Sequence, residues 1–510
     1  RRDPGDARCN TALGRQCLQR GLFGEAEAHF ARAVERLTLR NPNPHDGEPL
    51  YLLGLAHCFQ GREEDARRSF GKAAWNDAWV SAACQALAEL DCRRQDLDGA
   101  LAHVDRALSR HADSNRSRNL KAAILRRQGR HVEAAELAAD TLRMDPLDAW
   151  ALAERRFACL ATWDTAEGES LGERLRTLGS GRGDACLDLV LEYLRSGLHR
   201  EAGEIPVLFL RSGTTGTADP RILYAAGFLE AERGDPAAAA AWFRQAETTS
   251  PGPVFPGRLE EIAILLTAAR LNPAGARAHY YLGNLYYDRR RYDDAIAAWE
   301  RCRDLDGEFA PVHRNLALAY FDRKGDTAGA VRSMERAFAL DGSDPRLLFE
   351  LVQVYKNASA ADAGARLSLL ADHALLAEAR DDCHVEWMTL LLQAGRLEEA
   401  AARIGAREYS VYEGGEGRLA KIHEWIHLLQ GIRLLSAGRG LEALGEILSA
   451  DVLPKNFHEG RGVWHARNHI HGLAGLAAAA AGRAEQAAAY FRMAAERPWT
   501  TGEATFYQAL

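Results

Sequence analysis

Long runs of β-branched residues are missing from this chain of 510 residues, and Ala and Leu dominate instead. That excludes a sheet-built core and favours helix. No stretch approaches the roughly 18 consecutive apolar residues of a membrane span, and no signal peptide is visible. Lysine is scarce, the few including Lys72, Lys121, Lys324, Lys356, Lys421 and Lys455. The arginines are scattered, and the net charge is −7, so no basic stripe suggests nucleic acid. The nine cysteines contain no CxxC pair, and their odd number and spacing suggest neither a disulfide framework nor a zinc site. Most sit inside helical patterns (Cys17, Cys58, Cys84, Cys302), which reads as buried reduced thiols and hence a reducing, cytoplasmic setting. An initiator Met is also absent, since the chain begins Arg1-Arg2-Asp3-Pro4; we expect a processed or truncated product.

What is present is internal repetition. A chain this long exceeds what one hydrophobic core usually supports, a limit that does not apply to a repeat array. Residues 276–307 read ARAHYYLGNLYYDRRRYDDAIAAWERCRDLDG, with Leu282, Gly283, Tyr286, Ala295 and Trp299 at set offsets. Gly283 and Ala295 are small where two helices cross, and Leu282, Tyr286 and Trp299 fill the space around the crossing. The pattern returns as Gly14, Gly21, Ala26 and Phe30; as Gly54, Gly61, Ala66 and Phe70; as Gly227, Gly234, Ala239 and Phe243; and as Gly475, Gly482, Ala487 and Phe491. Leu316-Ala317 and Tyr320 lead to Ala330 with one extra residue in the turn. Ala66, Ala100 and Ala134 are spaced by 34 residues. Pairs turn at Gly with a polar neighbour, at Gly61-Arg62, Gly129-Arg130, Gly234-Asp235, Gly395-Arg396 and Gly482-Arg483, and Pro ends units at Asp145-Pro146, Ser250-Pro251 and Asn272-Pro273. This recurrence closely resembles the tetratricopeptide consensus. The resemblance implies an all-α fold, a right-handed α-solenoid of about 11–13 helix-turn-helix pairs, some of them degenerate.

The array has interruptions. Residues 178–184 and 211–220 are Gly/Ser/Thr-rich loops, and 250–257 (SPGPVFPG) is Pro-rich and reads as a bend. We therefore expect an N-terminal array over 1–255, with degenerate units, and a more regular array over 256–510.

Four segments do not look like repeat filler: Arg380-Asp381-Asp382, the turn YSVYEGGEG at 409–417, PKNFHEGRG at 454–462 and WHARNHIH at 464–471. Glu413 and Glu416 straddle two glycines, and His458 and Glu459 sit in a second Gly-bounded turn one helix pair later. Stacking of neighbouring units could bring these turns face to face, where paired carboxylates could do acid/base chemistry or bind cations or sugar hydroxyls. The plainer reading is solvated acids in polar turns. His423-Glu424-Trp425-Ile426-His427 matches HExxH, but the repeat already explains its phase, with His427 at a large position and Gly431 at the small one. His465, His469 and His471 form a second cluster. If a metal bound, His423, His427, His465 and His469 would be its ligands; we expect none, and no cofactor.

The face lined by the first helices is the default binding surface of such an array. In the best unit it carries Tyr280, Asn284 and Tyr287, followed by Arg314, Leu318 and Phe321. That mixture suits a peptide or a glycan, unless these side chains simply pack one repeat on the next. The regular Lys/Asn/Arg set that clamps chaperone C-termini is lacking.

The runs HYYLGNLYYDRRRYDDAI, HRNLALAYFDRKGD, ARDDCHVEWMTLLLQAGRLEEA, VYEGGEG and PKNFHEG together resemble the C-terminal half of bacterial proteins whose N-terminal half is an uncharacterised β-rich, mutarotase-like domain. That resemblance covers about residues 260–500 and implies a carbohydrate-related role by analogy alone. It singles out Arg380, Asp381, Asp382, Glu413, Gly414, Gly415, Glu416, Gly417, Asn456 and Glu459. The expected function is a scaffold holding a protein or peptide partner, or a β-rich domain of the same protein. The alternative is the accessory half of a carbohydrate-active enzyme, with Glu413, Glu416 and Glu459 completing a sugar site.

Overall fold

A computed structural model describes residues 3–178, 183–210, 219–252, 254–410, 415–460 and 467–495. Glu413, Gly414 and His465 lie outside the described residues, as do 179–182 and 211–218 of the two Gly-rich loops. Among the described residues every regular element is helical, and none of the helices is long and apolar enough to cross a membrane. The fold is an all-α solenoid. It divides into two compact units, Arg1–Gly307 and Glu308–Leu510. Among the described residues the first unit contains eight helix hairpins and a lone helix, Glu260–Leu271, and the second contains five hairpins and a short helix, Ala374–Ala379. None of the nine cysteines forms a disulfide, and six of them are buried.

Each hairpin follows from local chemistry. Many helices start at an Asp or Ser whose side chain accepts the amide of the third residue on, as at Asp96, Ser114, Asp148, Asp235 and Asp326. The first helix of each pair ends at a residue with positive φ: Gly21, Gly61, Gln95, Gly129, Trp163, Gly197, Gly234, Arg290, Gly325, Ser359, Gly395, Gly438 and Gly482. From Gly61 to Gly197 these recur every 34 residues. The next amide reaches back five residues, Arg62 to the His57 carbonyl at 2.9 Å and Arg130 to that of Leu125 at 2.9 Å. This left-handed closure satisfies carbonyls that the helix end leaves without partners. The extra residue expected after Ala317 is absorbed by a π-turn, Tyr320–Lys324, and there the Asp326 amide reaches six back to the Tyr320 carbonyl.

The crossing inside each hairpin is an interlock. Gly14, Gly54, Gly227, Gly283 and Gly475 each receive the ring of the aromatic residue sixteen positions later, namely Phe30, Phe70, Phe243, Trp299 and Phe491; Ile447 plays that part for Gly431. A Cβ at any of these glycines would collide with the inserted side chain. Where the small residue is Ala88, position 104 is Val, and where it is Ala122, position 138 is Ala, so the partner shrinks as the gap narrows; all four are buried.

Two tests follow from the hairpin. Gly283→Ala gains about 1 kcal/mol of helix propensity but overpacks against Trp299 at a cost of about 1–3 kcal/mol, so its melting temperature is expected to fall. Gly71→Ala, on a helix with nothing within 4 Å, is expected to raise it; a rise in both would remove the interlock as the cause. Trp163 holds a left-handed φ of 63° with its side chain in solvent. Trp163→Gly is expected to stabilise the chain by up to about 1 kcal/mol, read by the same melts.

Candidate functional site

In the first unit the face built from first helices is bridged by its own side chains. Arg116 pairs with Glu89 at 2.9 Å and with Glu192, 76 residues away, at 3.0 Å. Arg195 pairs with Glu192 and with Glu260, and Arg93 Nε donates to the Arg195 carbonyl at 2.7 Å. Beneath them Arg126 joins Glu154 at 2.8 Å and Glu201 at 2.9 Å, and the Tyr193 hydroxyl donates to Glu154 at 2.8 Å. Burial disfavours the Arg126 charge, yet the two carboxylates and Tyr193 outweigh it and raise its pKa. The ends of the unit also meet. Arg20 donates to the Arg290 carbonyl at 3.2 Å, and Gly21 lies against Leu259 and Ile262.

The expected groove residues take part in packing. Trp299 Nε1 donates to the Tyr280 carbonyl at 3.2 Å and to Asn284 Oδ1 at 3.1 Å. Tyr287 lies between Tyr292 and Trp299, with ring centroids 5.0 and 5.4 Å away. In the second unit Arg314 forms a forked pair with Glu350, and Phe321 is half-buried in the π-turn.

Described residues of three of the four non-repeat segments come together as a clasp. Arg380 binds Asp382 through two hydrogen bonds, at 3.0 and 2.6 Å. Asp381 pairs with Arg407 and accepts the Ser410 amide at 2.8 Å. Asn456 donates to the carbonyls of Ile404 and Arg407 at 3.0 and 2.8 Å and accepts the Tyr409 amide on its own carbonyl at 3.0 Å. His458, at φ 51°, meets Glu408 at 2.7 Å. Glu459 accepts the amides of Gly417 at 2.9 Å and Ala420 at 3.3 Å, capping the helix Arg418–Ser436. The two Gly-bounded turns thus meet at a helix N-terminus. Glu416 is exposed beside it.

The HExxH residues point to different partners. His423 Nε2 faces the Val452 carbonyl at 2.9 Å, His427 Nδ1 faces Glu446 at 2.7 Å, and Glu424 pairs with His469. Among the described residues no three His, Cys, Asp or Glu side chains are gathered as metal ligands.

Two features escaped the sequence reading. Glu386, inside the apolar run CHVEWMTLLL, is buried and faces Lys356, Arg366 and Arg418. A lone acid in such a run was the available signal. The other is a pair of matching rungs on adjacent first helices, Arg418–Ser436 and Asn468–Ala480. Ile432 and Leu476 each follow the small glycine by one, and Trp425 and His469 each precede it by six. Trp425 and His469 stack with centroids 6.3 Å apart. Trp425, Ile432 and Leu476 stay 38%, 37% and 41% exposed.

Under the clasp, His384 Nδ1 lies 3.0 Å from the Tyr409 hydroxyl. Burial, with help from Arg407 and Arg403, pushes His384 down to about 4. An unfolded His takes its proton near pH 6.5. The stability contributed by neutral His384 is therefore present above that pH and lost as pH falls toward about 4. Melting temperature is expected to drop across this window, and His384→Gln is expected to flatten that part of the profile. An unchanged slope would assign the loss to other groups.

Matches to family models agree with the hairpin geometry. Family models described as tetratricopeptide repeat match residues 86–149 and residues 276–309. Among solved structures, a tetratricopeptide repeat protein from Parabacteroides merdae is similar at 14% identity over 52% of this chain and 98% of its own, with a TM-score of 0.33. YrrB, described as a TPR protein with an unusual peptide-binding site, is similar at 15% identity over 42% of this chain and 97% of its own, with a TM-score of 0.18. MamA is similar at 21% identity over 43% of this chain and 92% of its own, with a TM-score of 0.18. The chain carries tetratricopeptide repeats.

Proposed function

We propose that this chain is an interaction scaffold that holds a polypeptide segment on the first helices of its second unit. The observation that carries this reading is the exposed strip of Trp425, Ile432 and Leu476 on two adjacent first helices. Large apolar side chains set in register on neighbouring helices give an extended segment successive places to bury its own apolar groups. The corresponding face of the first unit is bridged by Arg116, Glu192, Arg195 and Glu260 instead. A sugar site built on Glu413, Glu416 and Glu459 gains no support from the clasp, where Glu459 is engaged by backbone amides.

The test uses peptides selected from a random displayed library on the intact chain. Ile432→Glu and Leu476→Glu are expected to weaken a selected peptide by about tenfold or more, the equivalent of one lost apolar anchor. Leu441→Glu, on the exposed side of a second helix, is expected to leave it unchanged. Selected peptides that bind the strip variants as tightly as the parent would overturn the reading.

A further inference from the structure

We propose an anion subsite at Lys356, Arg366 and Arg418 that receives an acidic side chain of the bound segment; this rests on the scaffold reading of the second unit. Glu386 is 1% exposed, and its Oε1 lies 3.4 Å from Lys356 Nζ and 3.3 Å from Arg366 Nη1. Its Oε2 accepts no hydrogen bond and lies 3.8 Å from Arg418 Nη2. The three cations come from three separate helices, Pro345–Asn357, Ala363–Asp372 and Arg418–Ser436.

One carboxylate needs one cation to offset its burial. Arg366 is buried alongside it and supplies that charge, while its Nε has no hydrogen-bond partner. Lys356 and Arg418 are additional, and their side chains remain 43% and 40% exposed. Three like charges drawn to one acid repel one another, and a second carboxylate arriving from solvent relieves that repulsion. Guanidinium and ammonium donors around it would form charge-assisted bonds.

The subsite is in line with the apolar strip. Arg418, Trp425 and Ile432 are spaced by seven residues on one helix, so they share a face to within about 20° per step. Arg418 lies roughly 10 Å along the axis from Trp425 at 1.5 Å per residue. That distance matches about three residues of extended chain. The preferred segment therefore has an acidic residue three positions from an apolar anchor.

The probe is tri-glutamate, titrated calorimetrically into the intact chain beside tri-glutamine and inorganic phosphate. Saturable millimolar binding of tri-glutamate and none of tri-glutamine is expected. Lys356→Ala and Arg418→Ala should each weaken it up to about fivefold, the scale of a part-exposed ion pair, and Arg418→Lys should retain most of it. Raising salt from about 50 to about 300 mM should weaken binding as screening increases. Melts of each variant confirm folding. Absence of saturable tri-glutamate binding, phosphate binding without tri-glutamate binding, or equal binding by the folded Lys356→Ala/Arg418→Ala double variant would each overturn the subsite. Those results leave the strip untouched, because Ile432→Glu and Leu476→Glu read the apolar anchors separately.

Discussion

Five hairpins, those of Gly14, Gly54, Gly227, Gly283 and Gly475, depend on two helices approaching closely enough for a ring to occupy the place of a side chain. Gly283 and Trp299 show the constraint most clearly, since the indole fills the space where a Cβ would stand and donates its N–H across to Tyr280 and Asn284. Phe30, Phe70 and Phe243 make the same insertion and are fully buried. Each insertion removes a large apolar surface from water, worth about 1.5–3 kcal/mol, and also sets the angle at which the second helix returns. Neighbouring pairs then stack on a nearly constant geometry, so the array is specified locally, one hairpin at a time.

That regularity leaves the first-helix face free for other uses, and the two units use it differently. In the first unit, acids and arginines from helices far apart in sequence reach one another, as Arg116 does to Glu192 and Arg93 to the Arg195 carbonyl. Arg126, Glu154 and Glu201 form a buried ionic centre below. Removing one member of such a centre strands the others, so it resists piecemeal change and favours one arrangement of the pairs. In the second unit the first helices show apolar side chains, and among the described residues three cations gather at Glu386. A self-bridged face has little capacity left for a partner, while an apolar strip beside excess positive charge has both area and polarity to offer.

The clasp of 380–382, 407–410 and 454–459 occupies a middle ground. Its residues were singled out by sequence because they depart from the repeat, and the structure brings them together. Yet Asp381, Asn456 and Glu459 satisfy backbone groups and Arg380 pairs with its neighbour Asp382. Loop segments that cannot continue a helix must satisfy their own amides and carbonyls somewhere, and these polar side chains do so. By holding the start of the helix Arg418–Ser436, they place Arg418 beside Glu386 and, seven residues on, Trp425 beside His469.

The sequence by itself determined the repeat. Gly14, Gly54, Gly227, Gly283 and Gly475, with their aromatic partners sixteen residues on, encode a crossing that only a residue without a side chain permits. Proline and the Gly turns punctuate it. Four turns carry no such mark, because Gln95, Trp163, Arg290 and Ser359 hold the left-handed conformation that glycine elsewhere announces, and the hairpins around Gln95 and Arg290 were legible only from the small and aromatic residues of their helices. Their strain is imposed by the two helices they join, which no single residue type reveals. What only the tertiary structure decided was which polar residues on the first helices are already engaged. Asn284 and Tyr287, read in sequence as groove residues, also contact Trp299, whereas Glu386 looks like an interruption and gathers three cations. The period of a helix says which face a side chain is on, but the charge or ring it meets there is supplied by another helix, as Glu386, 30 residues away, is for Lys356.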